Sequence, residues 1–298
     1  MISGRELRRG RPAVDDITPP CDNCEMSLVS QHYGGAGGIL STITAAYDSA
    51  GIDPRNLHTA DLAPLDEFHI RGRAATLEIV DALDVGPESR VLDLGSGIGG
   101  PARALAEATG CTVTGIDLTP EFVDVATALS EWTGLSGTRF VVGDATATGV
   151  PDASMDAVLT VHVAMNIPDK SALCAEAYRV LRPGGRFVAY DVLQGEAGDV
   201  RYPVPWAPDA SISFLATREQ TRDTLSRAGF LIRDEVDSTE QSLAWFASIR
   251  AAHGQRGPAP ITFAAFLGDT FPQMATNQVT NLAERRIRTV MYTCLRPA

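Results

Sequence analysis

The 298-residue sequence lacks the long apolar and basic segments that mark membrane and nucleic-acid-binding proteins. No stretch approaches the roughly 20 apolar residues of a transmembrane helix. No apolar region follows the early arginines, so we expect no secretory signal. The formal net charge is −12, whereas phosphate-rich partners require clustered Lys and Arg. One basic cluster, GRELRRGR at residues 4–11, falls in residues 1–30, which we predict to be a disordered tail. We therefore expect a small-molecule partner, with no nucleic acid and no membrane; the sequence leaves the oligomeric state open.

The cysteines are few and scattered. Five cysteines show no spacing typical of a disulfide framework, which favours a reducing, cytoplasmic environment. Cys21 and Cys24 form a C-x-x-C pair, but two further ligands at suitable spacing are missing. We therefore predict no metal site.

From about residue 86, short β-branched runs alternate with helical patterns. RVLDLG, TVTGID, TRFVVGDA, MDAVLTVHVA, RFVAYDVL and LIRDEV read as strands, and RIRTVMYTCL reads as a last strand. This alternation predicts an α/β fold whose parallel sheet is covered on both faces. Sheets of this kind bind ligands beyond the carboxyl ends of their strands.

Two kinds of segment lie outside this alternation. Residues 31–85 read as a helical N-terminal cap, and residues 86–298 as the main domain. Insertions at about 194–215 and 237–286, rich in Trp, Phe, Met and Pro, are predicted to act as lids over the pocket.

The stretch VLDLGSGIGG, residues 91–100, joins the first strand to a glycine-rich turn. Gly95, Gly97 and Gly100 fit G-x-G-x-x-G, so a nicotinamide dinucleotide is one candidate ligand. Asp93 precedes the first glycine, and its carboxylate would repel a pyrophosphate. It would attract the cationic methionine end of S-adenosylmethionine, which the glycine backbone can approach closely.

Two further aspartates follow the next two strands. Asp117 ends TVTGID, where it can accept hydrogen bonds from ribose hydroxyls of either cofactor. Asp144 either accepts from an adenine amino group or forms the turn of GDATATGVP. Three carboxylates after successive strands favour S-adenosylmethionine.

The ordered motifs VLDLGSGIGGPARALA, GID, GDAT and LRPGGRFVAYD resemble those of class I S-adenosylmethionine-dependent methyltransferases. The segment GIGGPAR is similar to the corresponding segment in a branch of these enzymes that acts on small molecules. This branch contains sarcosine/dimethylglycine, tocopherol, sterol and natural-product sugar O-methyltransferases. This resemblance covers residues 65–236. It implies a Rossmann-like, mostly parallel seven-stranded sheet with an antiparallel last strand, and S-adenosylhomocysteine as the product. It also implies a cofactor site formed by Asp93, Gly95, Ser96, Gly97, Asp117, Leu118, Asp144, Ala145, Val161 and Tyr47.

Four residues are candidates for chemistry or closure of the site. His162, just after the fourth strand, is either a general base or a packed core residue. Asp191, at the end of the fifth strand, either contacts the acceptor or serves as a loop carboxylate. His69 is a candidate for chemistry or for a lid over the methionine end. Tyr47 either closes over the cofactor or packs elsewhere.

The acceptor pocket is predicted to be walled by aromatic residues of the insertions, unless these belong to the core. Its candidate residues are Trp206, Phe214, Trp245 and Asn166. A sarcosine-type acceptor calls for converging arginines, for which Arg71, Arg73 and Arg201 are available. A sterol-type reaction is disfavoured because His162 occupies the place of the typical acidic residue. The sequence predicts methyl transfer to oxygen or nitrogen of a small molecule, and we expect a role in specialised metabolism. C-methylation of an isoprenoid or aromatic ring is the alternative, and an NAD(P)-dependent oxidoreductase is the alternative from another class.

Overall fold

The computed structural model describes residue 32, residues 38–252 and residues 259–298. The predicted tail at residues 1–30, with its basic cluster and the Cys21–Cys24 pair, lies outside them. Within the described ranges, no helix is long and apolar enough to cross a membrane. The same ranges contain no group of three or more His, Cys, Asp or Glu residues able to hold a metal ion.

Helices precede the sheet, and helices and strands then alternate. The first helices are α1 (Ile39–Ser49), α2 (Thr59–Asp66) and α3 (Gly72–Leu83). The first half of the sheet domain contains β1 (Arg90–Leu94), α4 (Gly100–Thr109), β2 (Thr112–Asp117), α5 (Pro120–Trp132), β3 (Thr138–Val142) and β4 (Met155–Val161). The second half contains α6 (Lys170–Val180), β5 (Leu181–Gln194), α7 (Arg218–Arg227), β6 (Leu231–Asp237), α8 (Thr239–Ala252), α9 (Phe271–Ala283) and β7 (Ile287–Leu295).

The seven strands form one sheet in the order β3-β2-β1-β4-β5-β7-β6. Strands β1 to β5 pair in parallel, and β7 pairs antiparallel with both β5 and β6. This confirms the predicted Rossmann-like sheet and its antiparallel last strand. The chain runs outward from β1 to β3 and then returns to β4, so the strand order reverses between β1 and β4. A ligand crevice is expected at that point.

Both faces of the sheet are buried, as a parallel sheet requires. Successive side chains of a strand point to opposite faces, and the neighbours Val91 and Leu92 belong to two different apolar clusters. The cluster around Val91 includes residues of α3 and α4, whereas the cluster around Leu92 includes residues of α6 and α7. Rows of buried strand residues therefore hold both helical layers.

Local capping agrees with the sequence. Asp169 caps α6, and its side chain accepts from the backbone N–H of Ala172. Thr119 occupies the N-cap of α5 with Pro120 in the first turn, although the Thr119 side chain makes no capping hydrogen bond. The Asp117 carboxylate instead accepts from the backbone N–H of Thr119, so this helix start is tied to the end of β2.

A buried ion pair joins the N-terminal helices to the sheet domain. Asp66 on α2 and Arg103 on α4 are 2.8 Å apart, and both side chains are almost fully buried. Gly100 permits the close approach, because a Cβ there would overlap the carbonyl oxygen of Asp66. Breaking one partner of such a pair leaves an uncompensated buried charge and costs about 3–5 kcal/mol.

The predicted covering segments differ in structure. Residues 194–215 contain only a short 3₁₀ turn, Ala210–Ile212, and the isolated bridge Val204–Ala207. Residues 237–286 contain α8 and α9. The two segments share one apolar cluster, which also takes in Ile70 before α3 and Met165 after β4.

Candidate cofactor and acceptor site

The tip of β1 carries a buried carboxylate. Asp93 is 1% exposed, and its Oδ2 atom has no hydrogen-bond partner among the residues that the structure describes. Burial, with a smaller contribution from the nearby charge of Asp117, raises the pKa of Asp93 to about 7. A buried, unpartnered carboxylate is costly for the fold, and a bound cationic group would offset that cost.

The glycine turn after β1 has room for a ligand. Gly95 and Gly97 have φ angles of 77° and 53°, in the left-handed region that favours glycine. A Cβ at Gly95 would collide with Val163, whereas a Cβ at Gly97 would meet nothing within 4 Å. Ser96 between them has a buried hydroxyl without a partner. The turn thus combines open space with an unsatisfied polar atom.

Asp117 ties the glycine turn to the second strand. Its Oδ2 accepts from the backbone N–H of Gly97 at 2.8 Å, and its Oδ1 accepts from Thr119 at 2.9 Å. Burial raises the pKa of Asp117, and these backbone hydrogen bonds oppose the rise. The following residue, Leu118, is 40% exposed although it is large and apolar. It is therefore available to cover an apolar ring.

The remaining predicted cofactor residues occupy more varied settings. Asp144 is exposed, and its Oδ1 accepts from the backbone and hydroxyl of Thr146, both at 2.7 Å. This is the turn-forming arrangement, one of the two alternatives that the sequence left open; an additional contact with adenine stays a prediction. Ala145 packs partly buried against the sheet core, and Val161 ends β4 beside Tyr190 of β5.

Tyr47 lies on α1 of the N-terminal cap, in an apolar cluster that also includes Ile98 of the glycine turn. It is 2% exposed in the apolar cluster around α1, with its ring edge-on to Trp132 at 6.0 Å. Burial and the charges of Asp66 and Asp61 raise its pKa. The structure therefore gives Tyr47 a packing partner, and contact with a cofactor stays a prediction.

The two predicted histidines come together. The rings of His69 and His162 are 5.9 Å apart at 72°. His162 follows β4 with φ of 55°, and its buried Nε2 has no hydrogen-bond partner. The Nε2 atom of His69 lies 3.0 Å from the carbonyl oxygen of Gly72 and 3.1 Å from the Thr76 hydroxyl. Burial lowers the pKa of His69 to about 4, and burial together with His69 lowers that of His162 well below its usual value. Both imidazoles are therefore neutral at pH 7.

Tyr190 completes this group, and sequence reasoning missed it. The Tyr190 ring is 5.0 Å from that of His162 and 6.4 Å from that of His69. Its hydroxyl donates to the carbonyl oxygen of Ile70 at 3.2 Å. Its place next to Asp191 in the sequence was the signal that could have identified Tyr190 as a site residue. An aromatic residue in a strand reads first as core.

Asp191 belongs to a different environment. It follows Tyr190 along β5, so its side chain points to the opposite face of the sheet. There it lines a largely enclosed cavity of about 40 Å³ with Lys170 and Thr160. Burial raises its pKa to about 7, and its Oδ2 has no hydrogen-bond partner. The structure thus does not group Asp191 with the two histidines.

The turn after His162 is fastened to the first covering segment. Asn166 donates to the carbonyl oxygens of Trp206 at 2.9 Å and Ile212 at 2.8 Å. Lys170, the single lysine of the chain, donates to the carbonyls of Ala164 and Ile167, both at 2.9 Å, and also to that of Phe214. Asn166 was predicted to line the acceptor pocket. Its amide binds the backbone of the insertion, and contact with an acceptor stays a prediction.

The predicted aromatic wall is partly core. Trp206 is 1% exposed, and its indole N–H donates to Ser213. Phe214 is half-buried, and its backbone N–H donates to Met165. Trp245 is half-buried and edge-on to Phe246 at 4.8 Å; its ring lies near Gly72, the residue bonded to His69. Trp245 and Phe246 are thus the aromatics placed beside the histidine group.

The arginines available for a carboxylate acceptor do not converge. Arg71 pairs with Glu78, Arg73 pairs with Glu67 at 2.9 Å, and Arg201 pairs with Glu284 at 2.9 Å. Each cation is directed to a different glutamate, so the structure does not form the arginine cluster that a small amino-acid carboxylate would need.

A Rossmann-like sheet that carries a carboxylate and a glycine turn at its switch point is typical of enzymes that bind a nucleotide-type cofactor. A family model described as a methyltransferase domain matches residues 92–189. These residues thus resemble the methyltransferase-domain family, which confirms the resemblance to class I S-adenosylmethionine-dependent methyltransferases predicted from the sequence.

Individual proteins resemble the chain over different lengths. Sterol 24-C-methyltransferase erg-4 of Neurospora crassa is 39% identical over 113 residues, which are 38% of this chain and 30% of that protein. A phosphoethanolamine N-methyltransferase 2 structure from Haemonchus contortus, in complex with S-adenosyl-L-methionine, has a TM-score of 0.71 at 19% identity, covering 91% of this chain and 61% of that one. The 4+2 cyclase SpnF has a TM-score of 0.61 at 25% identity and covers 91% and 97%. The chain spans about 30% of the length of the first curated relative it matches.

Proposed function

We propose that this protein binds S-adenosylmethionine and transfers its methyl group to an oxygen or nitrogen of a small molecule. The observation that carries the proposal is the buried Asp93 carboxylate, which has an unpartnered oxygen beside the open glycine turn. A dinucleotide pyrophosphate would meet repulsion at this carboxylate, whereas the ammonium and sulfonium of the methionine end would neutralise it.

The turn and its neighbours supply the rest of the cofactor site. Gly95, Ser96 and Gly97 approach the methionine end, and Asp117 accepts from the ribose. Leu118 offers an exposed apolar surface to the adenine. Asp144 follows β3, the strand paired with β2, and would contact the same base.

The cofactor supplies an activated methyl group whose bond to sulfur breaks as the bond to the acceptor forms. The protein's task is to align donor and acceptor in a dry pocket, and proximity alone contributes about 7–11 kcal/mol. His162 lies next to the glycine turn through Val163, which contacts Gly95. Its unpartnered Nε2 is positioned to accept the acceptor's hydrogen bond and, as the methyl arrives, its proton.

Two alternatives have specific support. The identity with a sterol 24-C-methyltransferase favours C-methylation, although His162 stands where an acidic residue is typical. The near-complete match to the length of SpnF favours a cyclisation in the same pocket without methyl transfer. A nicotinamide oxidoreductase is disfavoured by Asp93.

Partners and location follow the same line of inference. The net charge of −12 supports a small-molecule acceptor in place of a nucleic acid. Cys111, Cys174 and Cys294 are free thiols, which supports a reducing cytoplasm.

The experiment has a binding arm and a turnover arm. Calorimetry should detect S-adenosylmethionine and S-adenosylhomocysteine, and S-adenosylhomocysteine, unlike NAD(P)H, should raise the melting temperature. Asp93→Ala should abolish binding, whereas Asp124→Ala, at an exposed aspartate on α5, should leave it unchanged. Mass spectrometry of labelled product then separates carbon from heteroatom transfer. Failure of the pure protein to bind either compound would end the proposal; binding without transfer to any acceptor would favour cyclisation.

A further inference from the structure

The histidine group contains an atom that lacks the partner its surroundings would normally provide. Within the described part of the chain, Nε2 of His162 is buried without a hydrogen-bond partner, and the rings of His69 and Tyr190 lie 5.9 Å and 5.0 Å from the His162 ring. The neighbouring polar groups are already engaged, since His69 bonds Gly72 and Tyr190 donates to Ile70. A ligand that reaches this atom must therefore bring its own hydrogen-bonding group.

The cationic side chains near the histidine group already have partners within the protein. Arg71 lies beside Tyr190, close enough for the phenol to affect its pKa, and its guanidinium forms two hydrogen bonds to Glu78, one of 2.8 Å. Arg73 is bound by Glu67 and Thr59. Both arginines thus already have partners and are not left to bind an anionic acceptor.

Apolar side chains form much of the surroundings of this group, although the hydroxyl side chains of Ser238, Ser242 and Thr289 lie near Tyr190. Ile70 and Met165 are buried in one cluster with Leu243 and Phe246 packed against it, and Trp245 lies next to Gly72. A charged acceptor placed there would lose its hydration without gaining a counter-ion, at a cost of several kcal/mol. An ammonium acceptor would in addition face the positive charge of the methyl donor.

We propose that the acceptor is an uncharged, largely apolar molecule that presents a hydroxyl group to Nε2 of His162, which makes the reaction an O-methylation. The proposal rests on the proposed function and specifies its acceptor. A hydroxyl both donates and accepts, so it satisfies a neutral imidazole in either tautomer. As the carbon–oxygen bond forms and the carbon–sulfur bond breaks, the hydroxyl proton passes to His162 and then to solvent.

The test compares acceptors that differ only in charge. The probes are methyl p-hydroxybenzoate against p-hydroxybenzoate and tyramine, and the bulkier methyl cholate against cholate. S-adenosylhomocysteine release and the mass of the methylated product are measured. We expect the neutral member of each set to have a kcat/KM at least tenfold above its charged counterparts.

A variant pair makes the charge argument specific. Glu78→Gln removes the counter-ion of Arg71. It should lower the ratio of kcat/KM for the neutral acceptor to kcat/KM for the carboxylate acceptor at least threefold. Glu284→Gln removes the counter-ion of Arg201, which is exposed and separate from the histidines, and should leave the ratio unchanged. The pH optimum and cofactor affinity of both variants should match the parent protein.

Several outcomes would overturn the inference. These are equal or faster transfer to the carboxylates or amine, an unaltered ratio in Glu78→Gln, and absence of transfer to every neutral probe. The proposed function fails separately, since it requires S-adenosylhomocysteine binding by calorimetry, which none of these acceptors affects.

Discussion

Asp93 makes cofactor binding depend on pH in a calculable way. The carboxyl must be ionised to attract the methionine end, but its pKa of about 7 leaves it half protonated near neutrality. The group is ionised above pH 7 and takes up a proton as the pH falls through 7, so affinity should fall with decreasing pH. For a bound-state pKa well below 6, affinity should weaken roughly eightfold from pH 7.5 to pH 6, or about 1.3 kcal/mol.

The same carboxylate should destabilise the free protein. Its folded pKa is raised above the unfolded value of 3.8. The folded state therefore holds more protons between these values, and stability declines as the pH rises from about 4 to 7. Asp93→Asn should recover about 2–4 kcal/mol of folding free energy at pH 7.5, which corresponds to roughly 2–4 °C in Tm per kcal/mol. Asparagine also cannot titrate, so the pH dependence of binding should vanish.

The assay is isothermal titration with S-adenosylhomocysteine between pH 6 and 7.5, in two buffers with different ionisation enthalpies. The parent protein should release close to one proton per ligand at pH 6, and Asp93→Asn should release none from this site. Loss of the charge interaction should weaken the variant roughly 30- to 1,000-fold, since two charges about 4 Å apart in a partly screened site interact by about 2–4 kcal/mol. A variant with parental affinity, or with the parental pH slope, would refute the reasoning.

Three further changes separate binding, positioning and folding. His162→Ala should reduce kcat about 10²- to 10⁴-fold and leave the cofactor Kd unchanged. The control His58→Ala, at an exposed helix cap, should change neither quantity. If His162→Ala turned over at the rate of the parent protein, His162 would not be the base. Lys170→Met should lower stability by about 2–4 kcal/mol and reduce kcat more than cofactor affinity, because three backbone carbonyls lose their donor. Lys170→Arg should partly restore stability and kcat. Equal losses in kcat and in cofactor affinity would contradict a role of Lys170 confined to the turn after His162. Gly100→Ala should lower the free energy of unfolding by about 1–3 kcal/mol through overlap with Asp66. Gly86→Ala, where a Cβ meets nothing within 4 Å, is the matched control in chemical denaturation.

The sequence predicted those parts of the site that depend on strand tips. Asp93 and Asp117 come together because parallel strands end at one edge, and hydrophobic runs locate those strands reliably. Asp191 shows the limit of this rule. It was predicted to end the fifth strand, but β5 continues to Gln194 because it pairs with β7 over that length. A position near a strand end also does not say which face of the sheet the side chain occupies. That face follows from alternation with Tyr190, whose own place beside the histidines depends on contacts between distant segments.

Long-range polar contacts were beyond the sequence signal. Asn166 bonds residues 40 and 46 positions away, and Lys170 bonds Phe214 at 44 positions; no local periodicity encodes such partners. The Arg71–Glu78 pair is closer in sequence, seven positions apart across the start of α3. Sequence reasoning still missed it, because an arginine beside a predicted pocket reads first as a ligand for an anion.

Three of the buried polar atoms that lack a hydrogen-bond partner lie at the candidate site. Among the described residues, Asp93 and Ser96 lie at the glycine turn, and His162 follows the next strand of the sheet. Each costs about 1–3 kcal/mol when left unsatisfied, and selection for stability alone would replace them with apolar or bonded groups. Their adjacency at the strand switch point makes a shared ligand the economical explanation, because one bound cation and one acceptor hydroxyl would satisfy all three. Filling the site should therefore stabilise the protein by more than either ligand does alone.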